Sequence, residues 1–166
     1  MKKRPLLVFL AFVILTSGCS QKEEVSAINS AEIVGKWQVK SMKISLKANV
    51  NGKIETANQS RNGTTAEILD VKSNGTISDP SDIFGTGTYS WKYAIKGNEL
   101  ALGETGDIGY FTLTLNGSAM TWHMNLEQTN RCIKDTGGFS SILNVDVDDV
   151  RGKILENDFT IEFVKK

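Results

Sequence analysis

The feature that most constrains the fold of this chain is a set of Asn-Gly dipeptides, at residues 51–52, 62–63, 74–75 and 116–117. The two-residue turn that matches the twist of paired strands needs positive φ at both central positions, which Asn tolerates and Gly adopts freely. Each dipeptide therefore predicts a β-hairpin turn, and Gly97 with Asn98 predicts a fifth turn of related type. The spacing of these predicted turns favours short antiparallel strands joined by hairpins.

The segments between these turns alternate apolar and polar side chains, which is the period of a strand with one buried face. One predicted strand carries an apolar row formed by Tyr89, Trp91, Tyr93 and Ile95, and another carries Met120, Trp122, Met124 and Leu126. Residues 108–127 are interpreted as one long hairpin. Further strands are predicted over residues 37–48, 54–60, 64–72, 76–78, 100–102, 142–147 and 159–164.

The first of these strands changes phase near residues 40–41. Its apolar residues have odd numbers before that point and even numbers after it: Trp37, Val39, Met42, Ile44 and Leu46. A β-bulge at this position would place all five side chains on the same face of the sheet, and bulges are also how a sheet is bent into a barrel.

These patterns predict an all-β fold, an up-and-down antiparallel barrel of about eight strands in one domain over residues 31–166. A short helix is expected within residues 26–34, where it would suit one end of the barrel. Closing the sheet into a barrel removes the exposed strand edges on which chains aggregate. The Gly-rich stretch within residues 128–152 predicts a longer connection before the last strand.

The N-terminus has the pattern of a secretion signal. Basic residues at positions 2–4 precede an apolar run over residues 6–15, which is too short to span a bilayer, and small residues lead to Cys19. The pattern resembles a bacterial lipoprotein signal, which predicts a signal peptide over residues 1–18, lipidation of Cys19 and a lipidated tether over residues 19–30. The alternative is an ordinary secretory signal with a coincidental cysteine. Anchoring by two or more acyl chains is effectively permanent.

The predicted tether begins with residues 20–24, SQKEE. This segment resembles the export signal that sends some Gram-negative lipoproteins to the outside of the outer membrane, although any polar stretch would serve as a tether. We therefore expect a location in the cell envelope, lipid-anchored at the outer membrane, and leave the face of that membrane open.

Charge and cysteine content exclude several classes of protein. Without its first 18 residues the chain has 19 acidic residues against 16 basic ones, and no basic cluster that would attract nucleic acid. With Cys19 carrying lipid, Cys132 has no partner for an internal disulfide. We expect its thiol to be buried, because free cysteine is among the most buried residue types.

Four segments together carry a family resemblance: residues 33–37 (IVGKW), 68–76 (ILDVKSNGT), 87–89 (GTY) and 97–102 (GNELAL). They resemble the lipocalin-like domain of Gram-negative lipoproteins over residues 31–127. The resemblance implies a small up-and-down barrel with a ligand cavity. Gly35 and Trp37 match the Gly-x-Trp of true lipocalins, in which the Trp closes the base of the barrel under an arginine.

Catalytic and metal-binding patterns are weak. His123 is the only histidine and has the parity opposite to Trp122, so we expect it on the outside of a strand. An acidic cluster at residues 146–149, with Glu156 and Asp158 downstream, could offer oxygen ligands to calcium but lacks the spacing of a calcium loop. We therefore predict no enzymatic activity, no catalytic residues, no metal and no cofactor.

The sequence favours a membrane-anchored, non-catalytic binding module for a small apolar ligand or an envelope protein. The alternative is an interaction or enzyme-inhibitor subunit whose filled barrel has no ligand cavity. The aromatic row that starts at Tyr89 is either core or cavity wall if it faces inward, and a stacking platform if it faces outward. The expected binding residues are the aromatic side chains Trp37, Tyr89, Trp91, Tyr93 and Trp122.

Overall fold

The computed structural model describes residues 27–83, 89–104, 107–132, 143 and 153–166. These residues form nine strands and two short helices, in the order α1 (Ser30–Ile33), β1 (Gly35–Val50), β2 (Lys53–Asn62), β3 (Ile68–Val71), β4 (Thr76–Asp79), β5 (Tyr89–Lys96), β6 (Glu99–Glu104), β7 (Asp107–Asn116), β8 (Ala119–Asn125), α2 (Leu126–Arg131) and β9 (Ile154–Lys165). The signal peptide, most of the tether, and almost all of the strand predicted over residues 142–147 lie outside the described residues.

Eight of the strands close into an antiparallel barrel, which confirms the predicted fold class. From β3 to β9, each strand pairs with the next one along the chain. The ring closes on β1, whose residues 35–38 pair with β3 while residues 37–48 pair with β9 on its other side. The long hairpin predicted over residues 108–127 is the β7–β8 pair, ending at Asn125.

Strand β2 lies outside this ring. It pairs with residues 41–50 of β1, on the same edge that β3 occupies further toward the N-terminus. The turn between β1 and β2 has positive φ at Asn51 (52°) and Gly52 (82°), as predicted for a tight hairpin. Along this edge β1 therefore has two successive neighbours, which we call the fork in β1. Its first residues pair with β3 of the barrel, and its later residues pair with β2 outside the barrel.

The remaining turn predictions had mixed outcomes. Gly97 (φ 64°) and Gly75 (φ 81°) lie in the predicted β5–β6 and β3–β4 turns. The turn assigned to residues 116–117 lies one residue later, because Asn116 pairs with Ala119. The prediction at residues 62–63 was wrong. Gly63 begins the connection from β2 to β3, and these two strands both pair with β1 and not with each other, so no hairpin is closed here.

The predicted bulge in β1 is present. The register between β1 and β9 shifts between Val39 and Ser41, which leaves one extra residue on β1. The Ser41 hydroxyl donates a 2.8 Å hydrogen bond to Glu162 on β9 beside the shift. As a result Trp37 and Leu46, which have opposite parity in the sequence, are both fully buried.

One end of the barrel is closed by α1. Asn29 caps this helix in a reciprocal capping box with Glu32. The indole N–H of Trp37 donates to the carbonyl oxygen of Ile33 at 2.6 Å, and the Lys165 ammonium lies 5.3 Å from the centre of the indole ring. Trp37 is thus a buried closure residue, as predicted, with a lysine of the last strand over its ring.

Helix α2, which the sequence pattern did not predict, packs against β7, β8 and β9. Asn125 and Gln128 form its capping box, which ends β8 one residue before Leu126, the last apolar residue of the predicted strand. The Gln128 side chain also donates to the Thr112 hydroxyl at 3.0 Å. At the other end of the helix, the Arg131 guanidinium pairs with Glu99 and lies 3.8 Å from the centre of the Tyr110 ring.

The connection between β2 and β3 is organised by Glu67. Its carboxylate accepts a 2.6 Å hydrogen bond from the Thr64 backbone N–H and pairs with the Arg61 guanidinium at 2.7 Å. Partial burial acts to raise the pKa of Glu67, but the bonds from Thr64 and Arg61 outweigh it, so the pKa lies below its ordinary value of 4.5.

Because the pKa of Glu67 is lowered in the folded state, the stability of the fold should depend on pH in the acid range. A carboxyl whose pKa is lower in the folded state stabilises the fold above its unfolded pKa, and this contribution is lost as the pH falls through the folded pKa. We expect Glu67→Gln to be less stable than the unmodified chain at pH 7, and the difference to shrink as the pH falls below 4.5. Urea denaturation at pH 7 and at low pH measures it. A difference that stays constant with pH would contradict the role assigned to the carboxylate.

Candidate functional site

Among the described residues, large apolar side chains pack into one buried cluster inside the barrel. Trp37 and Trp122 are fully buried, and Trp122 packs between two further rings, with centroid distances of 5.5 Å to Phe111 and 5.0 Å to Phe163. Aliphatic side chains from opposite walls complete the same cluster, among them Leu69, Ile77, Leu100, Leu113 and Ile161. Two of the five expected binding residues, Trp37 and Trp122, therefore lie in the core.

The aromatic row on β5 faces inward, which was one of the two interpretations of its alternation. Trp91 lies directly across from the buried Ile77, and Tyr93 lies across from the buried Leu102. The row is not fully covered, however: Trp91 and Tyr93 are half-buried, and Tyr89 is 48% exposed. Exposure rises toward the end of the barrel opposite α1.

Tyr89 and Trp91 form what we call the aromatic rim. Their ring centroids are 5.6 Å apart, with the planes tilted by 49°. A tilted pair of this kind is a favourable packing arrangement, and its exposed ring can stack on an apolar or planar group of a partner. Tyr93, further inside, donates from its hydroxyl to the Lys72 carbonyl oxygen at 3.1 Å, and burial raises the pKa of this phenol.

A buried carboxylate supports the strand next to the rim. Asp79 is fully buried and lies across from Tyr89 at the end of β4. It accepts hydrogen bonds from the backbone N–H groups of Ser81 at 3.2 Å and Ile83 at 2.7 Å, which fixes the start of the connection to β5. Sequence reasoning missed this role, although an Asp before a Pro-Ser pair is typical of a side chain that accepts from nearby backbone.

The described side chains that the sequence analysis considered for catalysis or metal binding lie on the outside of the barrel. His123 points away from the core, as predicted, and its ring Nε2 lies within hydrogen-bond distance of the Asp158 side-chain oxygen, at 3.0 Å. Glu156 pairs with Lys47 at 2.9 Å. Residues 146–149 lie outside the described part of the chain. Within the described part, no three His, Cys, Asp or Glu side chains are grouped closely enough to hold a metal ion.

The groove nearest these groups is open to solvent, and most of its lining residues are polar. It has a volume of about 370 Å³ and crosses the outer face of β1, β2 and β9, where its lining includes Lys43, Ser45, Asn58, Ser60 and Thr160. It is open along its length, so it would leave a small ligand largely in water. The aromatic rim is therefore the better candidate for a binding contact.

Cys132 follows α2 and is half-buried against the core, less covered than we expected. Its thiol lies 3.0 Å from the carbonyl oxygen of Gln128, to which it donates.

Comparison with known proteins gives no match to a family model, to a curated protein or to a solved structure. None of the described helices is long and apolar enough to cross a membrane. The class that the fold defines is a small closed antiparallel β-barrel, and this architecture is compatible with a binding module.

Proposed function

We propose that this protein is a lipid-anchored, non-catalytic binding module of the bacterial cell envelope, with a lipocalin-like barrel that holds an envelope protein at its surface. The lipoprotein-like pattern around Cys19 supports the anchoring, and the lack of a basic cluster in the sequence after residue 18, with 19 acidic against 16 basic residues, supports a partner other than nucleic acid. The proposal keeps the overall class favoured by the sequence and selects the alternative with a filled barrel.

The observation that carries this choice is the packing of the interior. Lipocalin-type carriage needs an empty volume inside the barrel, whereas among the described residues Trp37, Trp122 and Phe163 belong to one packed and buried cluster between the walls. A small apolar ligand would have to displace packed core side chains, and interiors packed at normal density do not give way at low energy. Binding at the surface needs no such displacement.

The aromatic rim is the surface feature that best fits a partner. Tyrosine and tryptophan are enriched where protein interfaces have their largest energetic contributions, because they bury a large area and lose little side-chain entropy. Tyr89 offers such a ring about half exposed, next to the half-buried Trp91 and across from the buried Asp79 on β4. We assign Tyr89 as the contact residue and Trp91 as its support.

Site-specific crosslinking in cells tests the proposal. A photoreactive amino acid at Tyr89 should give a discrete crosslinked product with another envelope protein, whereas the same group at Ser90, on the opposite face of β5, should not. Tyr89→Ala should weaken the complex by at least about tenfold, which is typical for loss of an interface aromatic. Equal crosslinking at both positions, or none at Tyr89, would count against the rim.

The ligand-carrier alternative has its own test. We expect a fluorescent apolar probe such as N-phenyl-1-naphthylamine to leave the fluorescence of the purified protein unchanged, because the core has no room for it. Saturable binding with energy transfer from tryptophan to the probe would favour the carrier function instead.

The anchoring is tested at Cys19. Each acyl methylene buried in a bilayer contributes about 0.8 kcal/mol, so removal of the acylated residue should abolish membrane attachment. We expect Cys19→Ser to move from the detergent phase to the aqueous phase in phase partitioning, while Cys132→Ser remains in the detergent phase. A Cys19→Ser variant that stays with detergent would exclude lipidation as the anchor.

A further inference from the structure

Strand β2 is a long and regular edge strand in the part of the chain that the structure describes. Among the described residues its only strand neighbour is β1. It is ten residues long, its register against β1 is unbroken, and eight of its residues are exposed while the other two are half-buried. Edge strands of monomeric proteins are normally short, bulged or interrupted by proline, because a long regular edge accepts a further strand.

The backbone groups that point outward can be assigned from the hairpin. In a two-residue hairpin the closing pair, here Val50 and Lys53, exchanges both backbone hydrogen bonds, and such pairs then alternate along the ladder. Every second residue of β2 therefore directs its N–H and C=O away from β1. These residues are Ile54, Thr56, Asn58 and Ser60.

We propose that β2 pairs antiparallel with β2 of a second copy of this chain, across a twofold axis that passes beside Asn58. Such an interface is self-complementary, since each copy offers the same residues to the other. The pairing would run over residues 54–62 in each copy and would join the two barrels through one continuous sheet.

Charge selects this register. With Asn58 on the axis, Glu55 of each copy lies across from Arg61 of the other, on the same face of the sheet, so two opposite-charge pairs form. A register centred on Ala57 would instead place Lys53 across from Arg61 and bring like charges together. Registers shifted further in either direction pair fewer residues. Within each copy, Glu55 already contacts Lys53 at 2.6 Å and Arg61 already pairs with Glu67 at 2.7 Å. The contact between Glu55 and Arg61 of the other copy would join these two ion pairs into one network of alternating charges.

The axis position makes the proposal testable by disulfide formation. Residues on a hydrogen-bonded antiparallel pair have Cα atoms about 5.5 Å apart, which a disulfide can bridge. We expect Asn58→Cys, in the full chain expressed in its own envelope, to form a disulfide-linked homodimer. In Thr56→Cys, on the same exposed face, the two cysteines would be offset by four residues, roughly 13 Å, and should not crosslink. The unmodified chain measures any background from Cys19 and Cys132.

Dimers of Asn58→Cys without dimers of Thr56→Cys support both the pairing and its register. Equal crosslinking of the two variants, crosslinking of Asn58→Cys to a different protein, or no crosslinking at all would overturn the proposal.

A second measurement does not depend on a disulfide. Thr56→Pro removes an outward N–H that β1 does not use, so the hairpin keeps its internal ladder while the edge loses a donor. Sedimentation of the full chain in mild detergent should show a dimer that this variant weakens by at least about tenfold, the effect of losing bonds worth about 1 kcal/mol each at two symmetric positions. Thr56→Ala should leave the dimer intact. A monomer at all concentrations would refute the interface.

Discussion

Replacing Trp37 with alanine is expected to lower the free energy of unfolding by about 3 to 5 kcal/mol. The side chain is fully buried, its indole N–H donates to Ile33 at 2.6 Å, and its ring lies under Lys165. The substitution therefore removes buried area, a hydrogen bond and the contact that ties α1 to both the first and the last strand. Because a domain of this size has a total stability of about 5 to 15 kcal/mol, the variant should be only marginally folded.

The neighbouring Lys36 is the matched control. It lies on the same strand with its side chain exposed on the other face, so Lys36→Ala should change the stability by no more than about 0.5 kcal/mol. Urea denaturation followed by circular dichroism compares the two variants with the unmodified chain. If Trp37→Ala and Lys36→Ala have the same midpoint, Trp37 does not close the barrel.

The sequence predicted the local features of the barrel because their causes are local. Positive φ at Asn51 and Gly52 follows from residue type, and the shared face of Tyr89, Trp91 and Tyr93 follows from alternation. The bulge near Lys40 was also accessible, since a phase change in an otherwise regular apolar pattern requires an extra residue if both halves face the same core.

The features that the sequence did not predict depend on contacts between distant residues. Whether an Asn-Gly pair closes a hairpin depends on which strands pair, and at Gly63 both flanking strands bind the same edge of β1. Helix α2 begins because the Asn125 side chain captures the Gln128 N–H, a local cap that competes with a continued strand pattern at Leu126.

For the candidate site, the face of the strand on which a side chain lies does not determine how exposed that side chain is. Alternation correctly placed Tyr89 on the same face as Trp91 and Tyr93, but it left open whether that face points inward, and it does not give the depth of a residue along the barrel. Trp37 lies under α1 and is fully buried, whereas Tyr89 lies at the other end and is 48% exposed. The difference arises from how the ends of the barrel are covered, which no single strand encodes.

A second large loss of stability is expected for a substitution at Gly63, which lies at the fork in β1. Here the chain leaves β2, donates its N–H to the Lys40 carbonyl oxygen at 2.9 Å, and passes close to the backbone of Val39. A Cβ atom at Gly63 would overlap the Val39 carbonyl oxygen and lie 2.5 Å from the carbonyl carbon. Because these are backbone atoms, side-chain rotation cannot relieve the overlap, and β1 itself would have to shift beside its bulge.

We therefore expect Gly63→Ala to destabilise the fold by about 3 kcal/mol, the upper part of the usual range for overpacking. The sign is informative, because Gly63 does not have positive φ and a Gly to Ala change at such a site otherwise stabilises by about 0.4 to 1 kcal/mol through the unfolded state. Gly117→Ala is the control: its φ is 58° and no atom lies within 4 Å of the new Cβ, so only backbone strain of about 1 to 2 kcal/mol applies. Urea midpoints of the two variants decide between these effects. A Gly63→Ala variant as stable as the unmodified chain would mean that β2 and β3 do not converge on Val39, and the forked pairing of β1 would be wrong.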